Sequence, residues 1–436
     1  MAKNSLYSLF SLSIMLAVLF TKLMLSCTSD DDDVSAHSLA TITDMGTYYL
    51  VVLNFESGAT HREIGEAYGE KLIEIDNEKG IAFEAKWDSW IAEIAINDSE
   101  YNEGLSRLAE IIPQVREEYL DEIDGFASKV AGADENIRGD GKLSVDEIYV
   151  INFLPDIART TACSALSVYD NRSETGNMMT ARLNDGYAGS EEQLSYLQAV
   201  IILKNSDKSL CSIGHLGRSF AATGFNESGV FIATLDSTTG APYSATGKHS
   251  YPMELRYALE NFDNVDDIGH YMADATREYA ANHNIILADS SVSKVLENNL
   301  SGTGDNMQRA LRTESSELND GVTWEYTNAI CVVNSFVLKG NHDNHTGVRA
   351  NFARWQSYKT ELAAKGDTVS LAELKEIASY DGDNGIPNLQ NKGDIYNLGT
   401  LQITIFEPAT MHLEVFFRPP GGIPDDPTFV TVPVAF

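Results

Sequence analysis

The sequence predicts a layered domain of mixed helix and strand. Three observations carry that expectation. Apolar positions recur at helical spacing through most of the first 160 residues; after Cys163 the texture changes to short strand-like runs with two helical interruptions; and the last third returns to helix before closing on strands. Blocks of helix and strand in this order fit sheets stacked against helices. With 436 residues, 43% of them hydrophobic, the chain can bury one large core or two ordinary ones.

Residues 1–26 read as an export signal: Lys3 near the start, an apolar stretch from Leu6 to Phe20, then Leu23-Met24-Leu25-Ser26-Cys27. A cysteine straight after a small residue at the cleavage point is similar to a bacterial lipobox, so Cys27 is expected to carry lipid. Plain secretion is the alternative. Residues 27–45, with the run Asp30 to Asp33, are then an acidic tether or simply a linker. The apolar run is interrupted by Lys22 and is too short to span a bilayer as an ordinary helix, which leaves membrane attachment to the lipid. The expected location is the outer membrane or cell surface of a bacterium, with a periplasmic or secreted protein as alternative. A net charge of -33 argues against nucleic acid or an anionic membrane surface as partner, because phosphate binding needs clustered Lys and Arg.

From Gly46, TYYLVVLNF reads as a strand. Helices are expected from His61, where Ile64, Ala67, Leu72 and Ile75 share a face, and over Ile81 to Ile96, Tyr101 to Ile112 and Val115 to Val130. Gly132 to Asp140 interrupts the pattern, and Ser144 with Glu147 three residues on restarts it as a capping box. The same stretch has a calcium-loop-like spacing, in which Asn136, Asp140, Ser144 and Glu147 take positions one, five, nine and twelve. Arg138 stands at position three, where a liganding oxygen belongs, so a plain helix-capping loop competes with the cation site. No other cofactor is expected.

Residues Arg159 to Tyr187 read as a β-hairpin. The runs Ala165 to Tyr169 and Met178 to Arg182 flank Asp170, Asn171, Ser173, Thr175, Gly176 and Asn177, a turn cluster centred near position 173. Folding back there pairs positions whose numbers sum to about 346, which places Cys163 opposite the stretch from Arg182 to Asp185. A thiol, a guanidinium and a carboxylate would share one strand end. With Cys27 assigned to lipid, Cys163, Cys211 and Cys331 remain, an odd count that leaves at least one free thiol. Cys163 is the candidate, and Cys211 and Cys331 read as core residues.

Further strands are expected at Tyr196 to Leu203, Leu210 to Ile213, Gly229 to Leu235, Ile285 to Asp289 and Thr323 to Asn334, with helices at Pro252 to Asn261 and Val265 to Ala281. Helices Arg349 to Ala363 and Ser370 to Ser379, the latter opening with the capping box Ser370 to Glu373, precede strands Leu401 to Phe406 and Met411 to Phe417. The closing FVTVPVAF suits an edge strand, because Pro433 cannot donate to a ladder.

A set of short motifs in order resembles one enzyme family. Gly125-Phe126-Ala127, Val150-Ile151-Asn152, Cys163-Ser164, Arg182-Leu183-Asn184-Asp185, Gly224-Phe225-Asn226-Glu227-Ser228-Gly229, Asn284 to Asp289 with Glu297, Val332 to Phe336 and Thr346 to Arg349 are similar to the acyl-coenzyme A:aminopenicillanic acid acyltransferase family of N-terminal-nucleophile (Ntn) cysteine hydrolases. The resemblance runs from about Gly46 to Pro424. It implies an α+β fold, a four-layer αββα sandwich with a helical N-terminal segment, residues 46–162, that is cut from the core 163–436 yet stays packed on it. It implies self-cleavage between Ala162 and Cys163, then hydrolysis or transfer of an acyl group at a linear amide of a small molecule through a thioester on Cys163. Arg182 and Asp185 would serve the nucleophile, Asn334 and a backbone N–H near Asp236 the oxyanion, and Arg349 the substrate or the helix it opens. Asp236 departs from the asparagine usual there.

The chemistry is sound without the family. A thiol has an ordinary pKa of about 8.5 and an α-amine about 7.7 to 8, so a cysteine at a chain start can pass its proton to its own amine near neutral pH. Alternatives are a phospholipase-B-like or bile-salt-hydrolase-like esterase or amidase using the same thiol, and a surface-anchored binding protein of this fold whose working part is the calcium-like loop. Two other constellations are weaker. Asn341-His342-Asp343-Asn344-His345 could offer metal ligands but fits an Asn-rich loop. Gly217-Arg218-Ser219-Phe220-Ala221 approaches a serine nucleophile elbow but lacks the last glycine.

Overall fold

Fifteen strands among the described residues form two sheets, of nine and six strands, that face one another across an apolar layer. The computed structural model describes residues 38–95, 97–157, 163–237, 244–300, 309–341, 349–382 and 393–436. The stretch read as an export signal, Cys27 and Ala162 lie outside them.

The chain enters through an antiparallel pair, β1 (Ala40–Asp44) and β2 (Tyr49–Asn54), so the last residues read as tether form an edge strand. Five helices follow: α1 (His61–Lys79), α2 (Phe83–Ile94), α3 (Asp98–Ile111), α4 (Glu117–Val130) and α5 (Val145–Ile157). Thr60 and Glu63 close a capping box at the start of α1. Helices α1 and α4 approach closely because Gly65 and Gly125 face each other's backbones: a Cβ on Gly125 would overlap the Arg62 carbonyl oxygen.

Strands β3 (Ser164–Val168) and β4 (Met179–Asp185) follow, then β5 (Gln198–Lys204), β6 (Leu210–His215), β7 (Thr223–Asn226) and β8 (Phe231–Asp236). Helices α6 (Tyr251–Asn261) and α7 (Val265–Ala273) lead to β9 (His283–Ala288), β10 (Ser293–Asn298), β11 (Arg309–Arg312) and β12 (Ala329–Val333). The chain closes with α8 (Arg349–Ala364), α9 (Leu371–Ala378), β13 (Thr400–Glu407), β14 (His412–Phe417) and β15 (Val430–Thr431). The larger sheet runs β1-β2-β5-β6-β7-β8-β9-β10-β11 and the smaller β12-β3-β4-β13-β14-β15. All neighbours pair antiparallel except β2 and β5. That parallel pair joins the N-terminal segment to the larger sheet.

Alternation decides the layers. Ala165 of β3, Val200 and Ile202 of β5, Phe225, Phe231 and Phe406 pack between the sheets. The opposite face of the smaller sheet, with Leu166, Val168, Met179 and Ala181, packs against Trp355, Tyr358 and Leu362 of α8 and Leu374 and Ile377 of α9. The sandwich expected from the motifs is the observed architecture, α+β in four layers.

Besides β1, several expectations need correcting. The run Thr323 to Asn334 is a strand only from Ala329, because Asn328 takes a left-handed φ of 57° and Trp324 turns onto Trp355 at 5.2 Å. Helix Val265 to Ala281 ends at Ala273, where Asp274 caps Thr276 N and Arg277 Nη1 donates to the Tyr271 carbonyl. Strands β7, β10 and β11 stand where the sequence pattern predicts no element.

Candidate active site

The hairpin sets the site. Strands β3 and β4 pair Ser164 with Leu183, Ala165 with Arg182 and Val168 with Met179, within one residue of the register expected from the turn cluster. Cys163 stands just before β3, at the strand end shared with Asp185. Its sulfur accepts a hydrogen bond from Arg182 Nη2 at 3.3 Å and lies 3.7 Å from Asn184 Oδ1 and 4.0 Å from the Asp185 carbonyl oxygen. Cys163 is 1% exposed, and the three described cysteines are all free.

Arg182 reaches across the sandwich to donate from Nη2 to the Thr234 carbonyl at 3.1 Å, while its buried Nε and Nη1 find no partner among the described residues. Asp185, fully buried, accepts from Asn397 Nδ2 at 3.0 Å and Thr400 Oγ1 at 2.9 Å and pairs with Arg354 Nη1 at 3.4 Å. Arg354 is the hub. Nη1 donates to the Cys163 carbonyl at 3.1 Å, and Nη2 donates to Asn334 Oδ1 at 3.1 Å and Asn351 Oδ1 at 2.8 Å. Asn334 Nδ2 donates to the Asp236 carbonyl at 2.7 Å, and Tyr251 Oη donates to Asp236 Oδ1 at 3.1 Å. An amide nitrogen carries two hydrogens, and one of those on Asn334 is used on this carbonyl.

Burial pushes the Cys163 thiol up; Arg182 pulls it back, while Asp185 and Asp236 add to the rise. Burial also raises Asp185, against the lowering pull of Arg354, Asn397 and Thr400. Asp156, on the last turn of α5, is pushed up to about 7, chiefly by burial.

Several motif residues turn out to be braces. Asn152 donates to the Ile148 and Gly217 carbonyls and accepts from Ser219 N. Asn226 donates to Leu259 O and Phe262 O. Glu297 accepts from Val337 N, Leu338 N, Asn341 Nδ2 and Arg312 Nε, holding the chain that follows Asn334. Asn284 Nδ2 donates to Val333 O and Ser335 O on either side of it.

The structure therefore brings together Cys163, Arg182, Asp185, Asn334 and Asp236. Arg349 opens α8, with its side chain outside the described set, and the guanidinium that meets the cysteine belongs to Arg354. Sequence reasoning missed Arg354, Asn351, Asn397 and Thr400. A second arginine five residues along the same helix was the one available signal. The four residues of the calcium-like spacing are engaged in hydrogen bonds of their own. Asn136 accepts from Tyr101 Oη and donates to Asp146, Asp140 accepts from Lys142 N, and Ser144 and Glu147 form the capping box of α5. Gly139 N and Gly141 N donate to the buried Asp88, filling the loop with a carboxylate. Among the described residues no group of three or more His, Cys, Asp or Glu side chains is placed to hold a metal ion. His342 to His345 lie outside them, and Asn341 is spent on Glu297.

No family model matches this chain, and no curated protein matches its sequence. Solved structures resemble it in part. A Caenorhabditis elegans N-acylethanolamine-hydrolyzing acid amidase ortholog aligns at 14% identity and a TM-score of 0.41, over 56% of this chain and 93% of that one. Penicillin V acylase from Agrobacterium tumefaciens aligns at 12% and 0.38, over 58% and 83%. A single-residue variant of conjugated bile acid hydrolase from Clostridium perfringens aligns at 13% and 0.36, over 62% and 92%. At these values none of them bears on what this chain acts on.

Proposed function

We propose that the chain is a self-processing cysteine amidohydrolase or acyltransferase of the Ntn type, acting on linear amides through a thioester on Cys163. One observation carries the reading: a buried thiol at the very start of β3 stands 3.3 Å from a buried guanidinium whose remaining donors are unfilled, Arg182. A core cysteine does not need a cation beside it, and a buried charge is costly unless something negative forms there. A thiolate is that negative group.

In the mature protein the peptide bond from Ala162 is cut and the α-amine of Cys163 takes the thiol proton. Arg182 stabilises the sulfur anion. Arg354, fixed by Asp185, Asn334 and Asn351, holds the Cys163 carbonyl and so sets the direction of both the sulfur and the amine. Sulfur attacks the amide carbon, and the carbonyl electron pair moves to oxygen, where Asn334 Nδ2 donates. The C–N bond breaks, the leaving amine takes the proton from the α-ammonium, and the acyl group stays on sulfur. Water then releases an acid, or a second amine takes the acyl group.

The test is cheap. Purified protein is expected to run as two fragments on a denaturing gel, the larger beginning at Cys163 by N-terminal sequencing, while Cys163→Ala stays one chain. Wild-type protein that remains uncut and releases no amine from a panel of N-acyl amides would remove the reading.

A further inference from the structure

The connection between β6 and β7 lies outside the machinery above, yet it carries an unusual cation. Arg218 is half-buried, its guanidinium carbon 5.2 Å from the centroid of the Trp87 ring and 5.4 Å from that of Phe220. Among the described residues it makes no ion pair, in a chain with 64 acidic residues against 31 basic ones. Nη1 lies 3.2 Å from His215 Nδ1. His215 is fully buried, and burial first and the Arg218 charge second hold its imidazole neutral. A neutral ring that accepts on Nδ1 carries its proton on Nε2, and that buried atom has no partner among the described residues. Arg218 Nε has none either.

Stacking on two rings would explain an arginine here by itself. It does not explain why the fold keeps two buried donors without acceptors beside an uncompensated charge, because such groups are rarely left orphaned. Burial moves Arg218 down only to about 10, so it stays charged at neutral pH.

The position is informative. The Gly214 carbonyl accepts from Gln402 Nε2 at 2.9 Å, Gln402 Oε1 accepts from Asn184 Nδ2 at 3.2 Å, and Asn184 Oδ1 lies 3.7 Å from the Cys163 sulfur. The end of β6, which leads into the loop bearing Arg218, therefore lies three contacts from the nucleophile. Gly214 is half-buried, and a Cβ added there would meet nothing within 4 Å, so there is room beside the path.

We propose that Arg218 is the anion-recognising residue of the substrate site, receiving a carboxylate on the amine half of the amide, as in an N-acyl amino acid. His215 is its positioning residue, accepting from Nη1 so that the other donors face the ligand. A half-exposed location suits the half of the substrate that departs first. This rests on the Cys163 amidase reading, and the experiment separates the two.

The probes are N-lauroylglycine and its uncharged partner, N-lauroyl ethylamide. The ratio of kcat/KM for the acid to that for the ethylamide is expected to exceed ten in the wild type, to fall at least tenfold in Arg218→Gln through KM for the acid, and to recover partly in Arg218→Lys. An unchanged ratio in Arg218→Gln overturns the proposal while leaving the amidase intact. Calorimetry on the Cys163→Ala chain gives a readout that needs no turnover: N-lauroylglycine is expected to bind, and to bind at least tenfold more weakly when Arg218→Gln is added. Equal binding with and without Arg218 overturns the assignment whether or not the amidase reading survives.

Discussion

Two buried arginines serve Cys163 in different ways. Arg182 touches the sulfur, and its charge works against the burial that raises the thiol pKa. Arg354 holds the backbone; a planar fork lets it grip the Cys163 carbonyl, Asp185, Asn334 and Asn351 at once, which a lysine point charge could not do. Removing Arg182 should therefore act on ionisation. In Arg182→Gln the pH at which Cys163 is half-alkylated by iodoacetamide is expected to rise by about one unit or more, the cost of losing an adjacent opposite charge. An alkylation profile identical to wild type would show that the guanidinium does not tune the thiol. The contact between Arg182 and Cys163 was legible in the sequence, since the turn residues around Ser173 set the register of β3 on β4. Arg354 was not, because nothing in a helical pattern says which arginine of α8 turns toward a sheet edge that is distant in sequence.

At the scale of elements, local chemistry was a good guide where the chain closes its own hydrogen bonds. The capping boxes at Ser144 and Ser370 form with the expected partners, as do helices α1 to α6 to within a few residues. It failed where tertiary partners intervene: Trp324 packs on Trp355 instead of continuing β12, and Asp274 ends α7 early. The glycines of α1 and α4 were silent in the sequence, yet they let the two helices meet backbone to backbone. Gly125→Ala is expected to cost about 1 to 3 kcal/mol, because its methyl group would press on the Arg62 carbonyl and the helices must part. Urea unfolding measures this, and a midpoint within error of wild type would show that the pair can relax without loss.

For the whole molecule, the proposed cut ahead of Cys163 raises the question of what would hold the two parts together. Strand β2 pairs with β5, Trp87 Nε1 donates to the Leu216 carbonyl, Trp90 Nε1 to the Tyr187 carbonyl, and Asn152 ties to Gly217 and Ser219. A buried ionic tie is Glu122 of α4 against Arg256 of α6, both 1% exposed, bonded through both guanidinium nitrogens Nη1 and Nη2. Burial would raise the Glu122 carboxyl, but Arg256 and His61 together hold it down at about 2. A depressed folded-state pKa contributes stability that is present above the ordinary carboxylate range and lost as pH falls through about 2, so acid should loosen this junction below about pH 4. Glu122→Gln leaves Arg256 buried with its main counter-charge removed, and a loss of about 3 to 5 kcal/mol is expected, read as a lower melting temperature and easier separation of the two fragments at neutral pH. Full retention of both would mean that Glu260 alone satisfies Arg256.

By itself the sequence determined the alternation of helix and strand, the caps, the hairpin and the meeting of Cys163 with Arg182, because each of these depends on neighbours within one turn or one strand pair. Tertiary structure alone decided that Arg354 is the hub, that Asp88 accepts from the calcium-like loop, that Glu297 and Asn284 brace Asn334, and that Arg218 makes no ion pair among the described residues. Those outcomes depend on which faces of two sheets and their helices come together, and burial and charge compensation are summed over partners up to hundreds of residues apart.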